Sequence, residues 1–419
     1  MGLKIKREGS VWFLCLVIAT GLFLRLVWVE DMEWKRDEQY MYEKAHEVVN
    51  TGRLPAVGMM SGGDIVNPGL SLGVFSAIAL FTHSPISMCR VVQVINILGI
   101  LLFLAFALVK IGPEEREVWL WGIALASVNP LAVVFSRKIW AQDLLPFFAF
   151  WVILGNACRR KGWGAFLWGF AGAVIGQVHM SGFFFAAGLL VFTLSHDCYH
   201  KIRFQWKPWL VGALAGGVGI VPWAIYIAQH PQSPEQSISH VFHPYFYPFW
   251  LLDAHGLDIA YSMRGETWEF IKEPFIAGVP TYLIALLHLF LAGVVLCSLV
   301  RIAKRLKSGV RRLREKTALS GLFADVSAAR FYLLSVLLGL GVFMTLSGVK
   351  VRLHYLICAF PFSYIFLVRM YYPRKTLLQG VIVAQLIITV SFLTYVHRHG
   401  GVLSGDYGRT FRSSQQLGY

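Results

Sequence analysis

Eleven stretches of about 15 to 24 residues, each almost free of charged side chains, recur along the chain at 10–29, 91–109, 118–135, 144–158, 163–178, 182–196, 208–228, 277–300, 330–348, 353–370 and 377–396. Roughly 20 apolar residues is the length at which a helix crosses the hydrocarbon core of a bilayer, where backbone groups must be bonded within their own segment. The expected fold is therefore an all-α polytopic membrane protein with about 11 transmembrane helices. Composition agrees: of 419 residues 56% are hydrophobic and 15% charged, against about a quarter charged in a soluble domain. Linkers rich in Gln, Gly or Pro and internal repeats are absent, so 1–396 reads as a single transmembrane domain and 397–419 as a short tail.

The first apolar run follows Lys4, Lys6 and Arg7, as in a signal peptide, but it is long, ends in Trp28 and lacks a small-residue cleavage site. It is expected to remain as the first helix, with Arg25 near its end snorkelling to the interface. The net charge of +15 would point to nucleic acid in a soluble chain; here its placement matters. The stretch 68–82 is only about 15 residues long and is expected to lie at the interface. On that topology the cytoplasmic segments hold 23 bases and 7 acids, and the outer segments 14 bases and 16 acids. The excess is thus a positive-inside signal. It predicts a cell-membrane protein with a cytoplasmic N-terminus, a first outer loop over 30–90, a second over 229–276, a basic cytoplasmic loop over 301–329 and an outer tail. Within the first loop Tyr40, Ala45, Val48 and Val49 predict a surface helix ending at Gly52. The six cysteines are scattered without a CxxC, which indicates neither a disulfide framework nor a cysteine metal site.

Ionisable residues gather at three places on the predicted outer face. In Lys35-Arg36-Asp37-Glu38, adjacent carboxylates beside bases suit general-base work; Asp37 equally suits a helix N-cap. In the turn Ser136 to Asp143, Asp143 opens the next helix, where capping explains a carboxylate, yet with Arg137 and Lys138 it also suits a phosphate and a hydroxyl. In Lys350-Val351-Arg352-Leu353-His354-Tyr355 the bases sit against the positive-inside tendency; a lipid phosphate or headgroup snorkelling accounts for them. His179 with Gln177, and the loop containing His240 and His243, are weaker candidates, the loop reading by default as interfacial aromatic packing. P-loop, GxGxxG, GxSxG and HExxH patterns are absent.

The order of these elements is itself informative. Arg36-Asp37-Glu38 with Tyr40, Gly52-Arg53-Leu54-Pro55, Asn67-Pro68-Gly69-Leu70, Arg90, Asn129-Pro130 before Ser136-Arg137, Asp143, and Lys350 to Tyr355 followed by Phe360-Pro361 succeed one another over most of residues 10 to 372. This resembles the polytopic GT-C glycosyltransferases, in particular bacterial relatives of dolichyl-phosphate-mannose protein mannosyltransferases and of lipid A aminoarabinose transferases. The chain departs from some relatives in having only about 23 residues after the last span, so acceptor recognition by an appended outer domain is not expected.

The resemblance implies a polyprenyl-phosphate sugar as donor, an active site at the outer face, Asp37 as catalytic carboxylate, Asp143 as the second-loop acid, and Lys350, Arg352 or His354 at the lipid phosphate; the chemistry of the neighbouring residues adds Glu38 or Asp143 to orient the acceptor and Arg137 and Tyr355 to the phosphate side. No metal ligand is assigned and no cofactor is certain; a divalent metal remains open. The acceptor, whether glycan, lipid or protein, is undefined, and nucleic acid is not expected as a partner. Such an enzyme must position a hydroxyl, take its proton and neutralise the leaving phosphate, with inversion at the anomeric carbon. The rival from another class is a transporter or flippase of a lipid-linked or anionic substrate, for which paired broken helices at the midplane and internal symmetry would be expected. A structural subunit would leave Asp37, Asp143 and the late basic turn without a role.

Overall fold

Pro113–Val128 is the helix around which the others pack: from Val118 onward all but Leu120 of its side chains are buried, including Trp119 and Trp121. It contacts the first helix, Gly2–Leu26, and two late helices, Phe362–Tyr371 and Lys375–His399. A computed structural model describes residues 2–60, 66–230, 242–314, 323, 326–349 and 351–418. The chain is mostly helical, and three two-stranded antiparallel hairpins make up the sheet structure among the described residues.

Among the described residues six helices are long and apolar enough to cross a membrane: Pro85–Lys110, Ser181–Tyr199, Trp206–Gln229, Leu283–Ser308, Ala328–Leu346 and Lys375–His399. A seventh is reached if Leu353–Ala359 and Phe362–Tyr371, bent by 79° at Phe360-Pro361, count as one span. Shorter apolar helices, Ser10–Leu26, Ala141–Ala157 and Gly162–Val178, coincide with three other expected segments, and the expected interfacial stretch is the helix Leu70–Ala79. The expected segment 118–135 is two helices, broken at Asn129. Pro130 cannot continue the bonding of the preceding helix, and the Asn129 carbonyl oxygen Oδ1 caps the next one by accepting the Ala132 N–H at 2.9 Å. The Asn129 amide donates to Gln385 Oε1 at 3.0 Å and to the Asp253 carbonyl at 2.8 Å, which fixes the break against two other elements. The chain leaves this break toward the turn 136–143.

Three local expectations need correction. Arg25 does not snorkel: it is 1% exposed, and its guanidinium donates to the carbonyls of Gly21, Ser127 and Ala126. Gly21 makes this possible, because a Cβ there would lie 2.3 Å from the Ser127 oxygen; small residues let membrane helices approach this closely. The segment expected to begin at 277 begins at Leu283, since Phe275–Ile276 and Val279–Pro280 pair as a hairpin. Its two turn residues, Ala277 and Gly278, both have positive φ (50° and 79°), the signature of a tight type I′ connection. The surface helix forms over Arg36–Thr51 and stops at Gly52 (φ 67°) as expected; of the face read off Tyr40, Ala45, Val48 and Val49 only Ala45 is fully buried, and Glu38 and Met41 join it. A carboxylate at the buried helix start is what the apolar pattern hides.

The tail folds back. Gly401–Val402 and Gly408–Arg409 form a hairpin, and the chain after it lies along the first loop: Trp34 N–H donates to the Arg409 carbonyl and Phe411 N–H to that of Met32, both at 3.0 Å. Tyr407 lies against Asp31, donating its hydroxyl to that backbone carbonyl at 2.5 Å.

Candidate functional site

The first loop, the turn 136–143, the corner at His179, the segment 351–355, the chain around Tyr261 and the tail hairpin meet around a cavity of about 330 Å³. Asp37 lines it, as do Arg352, His354 and Tyr355, so four of the residues singled out in the sequence converge although more than 300 positions separate Asp37 from Arg352.

Asp37 stands in the first turn of the Arg36–Thr51 helix. It is not the N-cap. The N-cap position is Lys35, whose backbone N–H donates to the carboxylate of Glu38, three residues on, at 3.0 Å, and Asp37 lies on the cavity side. Glu38 itself is fully buried and turned toward Lys138, 3.9 Å away. Lys138 in turn meets Glu33 at 2.5 Å, with 3% and 2% of the two side chains exposed, and lies 4.0 Å from the centre of the Trp140 ring. Burial, with the Glu33 carboxylate beside it, pushes the Glu38 carboxyl up to about 8, against the pull of Lys138 and Lys35. Burial disfavours the Lys138 charge, but Glu33, Glu38 and Asp143 together outweigh it and hold its pKa above the ordinary value. The result is a clamp between the first loop and the turn 136–143 that fixes the helix bearing Asp37.

Of the remaining site candidates, Arg137 and Asp143 lie elsewhere. Arg137 is 2% exposed, and donates to the carbonyls of Leu24 (2.6 Å) and Trp28 (2.9 Å) at the end of the first helix. It satisfies orphan helix-end carbonyls and does not reach the cavity lining. Asp143 is also buried and lines a second, interior cavity with Arg25, Ser136, Asp253 and Tyr364; neither carboxylate oxygen has a hydrogen-bond partner. Lys350 lies outside the described residues, as does His240. His243 donates its N–H to the Thr345 carbonyl at 2.9 Å and is not part of the cavity lining.

One wall is aromatic and imidazole-rich. The His354 ring lies 4.9 Å from Trp140, 4.8 Å from Tyr355 and 6.3 Å from His179, centre to centre. Burial lowers the His179 pKa to about 4, so this ring is neutral near pH 7, and its Nδ1 lies 2.8 Å from the Ser181 hydroxyl. Asn67 ties the first loop to the same corner, its Nδ2 donating to the Met59 carbonyl at 2.9 Å and its Oδ1 accepting the Met180 N–H at 3.4 Å.

Several lining residues were not foreseen. Gln142, adjacent to the expected Asp143, lines the cavity with its Oε1 unpartnered, although the residue is only 3% exposed. Trp140 is there too, its indole N–H also unpartnered. A buried acceptor and donor left without protein partners are the groups a polyhydroxylated ligand would satisfy. Lys35, Arg264 and Asp406 complete the charged lining. Arg352 and Tyr261 are shared with a neighbouring groove of about 270 Å³ walled by Tyr245, Phe249, Val351 and Leu353. Among the described residues no group of three His, Cys, Asp or Glu side chains is placed to hold a metal ion.

No protein-family profile matches the chain, and no curated protein is significantly similar to it.

Proposed function

We propose that the chain is an integral-membrane glycosyltransferase with about 11 membrane-embedded helical segments and a cytoplasmic N-terminus, which moves a sugar from a polyprenyl-phosphate donor to an acceptor hydroxyl at the outer face. The observation that carries the reading is the meeting of Asp37 with Arg352 and His354 around one cavity. Asp37 is the base that takes the acceptor proton as the hydroxyl attacks the anomeric carbon. Arg352 receives the leaving phosphate, its planar fork matched to two phosphate oxygens, and His354 stands beside it. The apolar groove that shares Arg352 with the cavity gives an isoprenoid chain a place to lie while its phosphate reaches the basic residue. Gln142 Oε1 and the Trp140 N–H offer the sugar hydroxyls an acceptor and a donor. Glu38, Lys138 and Glu33 act on this reaction only through the position they give Asp37.

A transporter or flippase of a lipid-linked substrate is the second reading, favoured by the interior cavity bearing Arg25, Asp143 and Asp253, since intramembrane ionisable groups mark substrate paths. One experiment separates the two: purified protein is incubated in detergent with a panel of polyprenyl-phosphate sugars and candidate acceptors. Release of polyprenyl phosphate and a product of inverted anomeric configuration is the expected result; substrate binding without release, or retention of configuration, contradicts it.

A further inference from the structure

The cavity has a second cationic pole whose anion is supplied by the protein itself. Arg264 and Asp406 both line it, and the Arg264 guanidinium lies 3.0 Å from the Asp406 carboxylate, with 52% and 32% of the two side chains exposed. Lys35 approaches the same place, its ammonium paired with the Glu33 carboxylate and donating to the Asp406 carbonyl. Arg264 also packs over the Tyr261 ring at 4.8 Å, on the side of the cavity shared with the apolar groove.

Two features distinguish this pair from an ordinary surface ion pair. Arg264 has φ 39° and ψ −109°, a backbone conformation that non-glycine residues rarely occupy and that clusters at ligand-binding positions. Nor is the pair needed to hold the tail, which is fastened through Trp34–Arg409, Met32–Phe411 and Ser262–Tyr407 backbone contacts. An exposed pair of this kind contributes little to stability, so an incoming oxyanion exchanges with the Asp406 carboxylate at small cost.

We infer that Arg264, supported by Lys35, forms an oxyanion subsite separate from that at Arg352, and that Asp406 occupies it as a built-in competitor until a substrate carboxylate or phosphate replaces it. Assigning that oxyanion to the hydrophilic substrate, the sugar or its acceptor, rests on the reading of the cavity as a transfer site. The subsite itself does not, because it is tested by binding alone.

The test uses full-length protein in detergent and measures binding of inorganic phosphate, glucuronate and a polyprenyl phosphate by calorimetry, with melting temperature as the folding control. Asp406→Asn removes the competitor and is expected to tighten phosphate or glucuronate about fivefold. Adding Arg264→Gln, or Arg264→Gly, which suits the positive φ without strain, is expected to abolish that gain. Polyprenyl phosphate binding should fall with Arg352→Gln and be unmoved by Arg264→Gln. If Asp406→Asn leaves both soluble anions unchanged, if the gain survives loss of Arg264, or if Arg264→Gln weakens the lipid phosphate as much as Arg352→Gln does, the subsite does not exist as described. A gain for phosphate or glucuronate in a protein that transfers no sugar would uphold the subsite and overturn the transferase reading alone.

Discussion

Lys138 and Glu33 meet at 2.5 Å with almost no exposure of either side chain, and this ion pair ties the turn 136–143 to the loop that carries Asp37. Removing Lys138 takes away the buried partner of Glu33 and leaves it only the part-exposed Lys35; breaking a buried pair typically costs about 3 to 5 kcal/mol. Lys138→Met is therefore expected to lower the melting temperature sharply, and the double variant Lys138→Met with Glu33→Gln to regain much of the loss. A single variant as stable as the parent would mean that the clamp does not form.

Glu38 links stability to pH. Its carboxyl titrates near 8 when folded, against 4.5 when free, so between those values the folded chain binds more protons than the unfolded one. The contribution of this group is fully present below about 4.5 and is lost as pH rises through 8. Melting curves from pH 5 to 8 should show a decline with pH that Glu38→Gln flattens; identical slopes in the two proteins would contradict the assignment.

Neighbouring bases should separate cleanly. Arg352→Gln is expected to weaken polyprenyl phosphate binding by about 10- to 100-fold, the worth of charge-assisted hydrogen bonds of roughly 1.5 to 3 kcal/mol, with little change in melting temperature. Arg137→Gln should do the reverse, since its guanidinium serves the Leu24 and Trp28 carbonyls. Equal loss of binding from the two variants would remove the distinction drawn between them.

Gln142→Leu offers a test in which activity and stability move apart. It deletes a buried acceptor that lacks a partner, so stability should hold or rise, while kcat/KM for sugar transfer falls about 5- to 10-fold through loss of one hydroxyl contact of about 1 kcal/mol. A parallel fall in both would mark Gln142 as a packing residue.

Much of the helical plan was legible because hydropathy is a local property: each apolar run is largely helical, whole or in pieces, and Asn129-Pro130 and Gly52 end helices by chemistry carried in one or two residues. The site was legible in part. Asp37, Arg352, His354 and Tyr355 share a cavity, but sequence alone does not say which way adjacent side chains in a turn point, and so Arg137 turned to the end of the first helix, Lys138 to Glu33 in the first loop, and Gln142, not Asp143, reached the lining. Arg264 and Asp406 carried no signal at all, because only the return of the tail onto the first loop, 371 positions away in the Lys35–Asp406 contact, brings them there.

The account turns on Asp37. With the purified protein and a productive polyprenyl-phosphate sugar in hand, the rate of lipid phosphate release by Asp37→Asn should be compared with that of the parent, with the melting temperatures matched. Loss of a general base predicts a fall of about 100-fold or more at unchanged donor binding; transfer at the parent's rate would contradict the central claim.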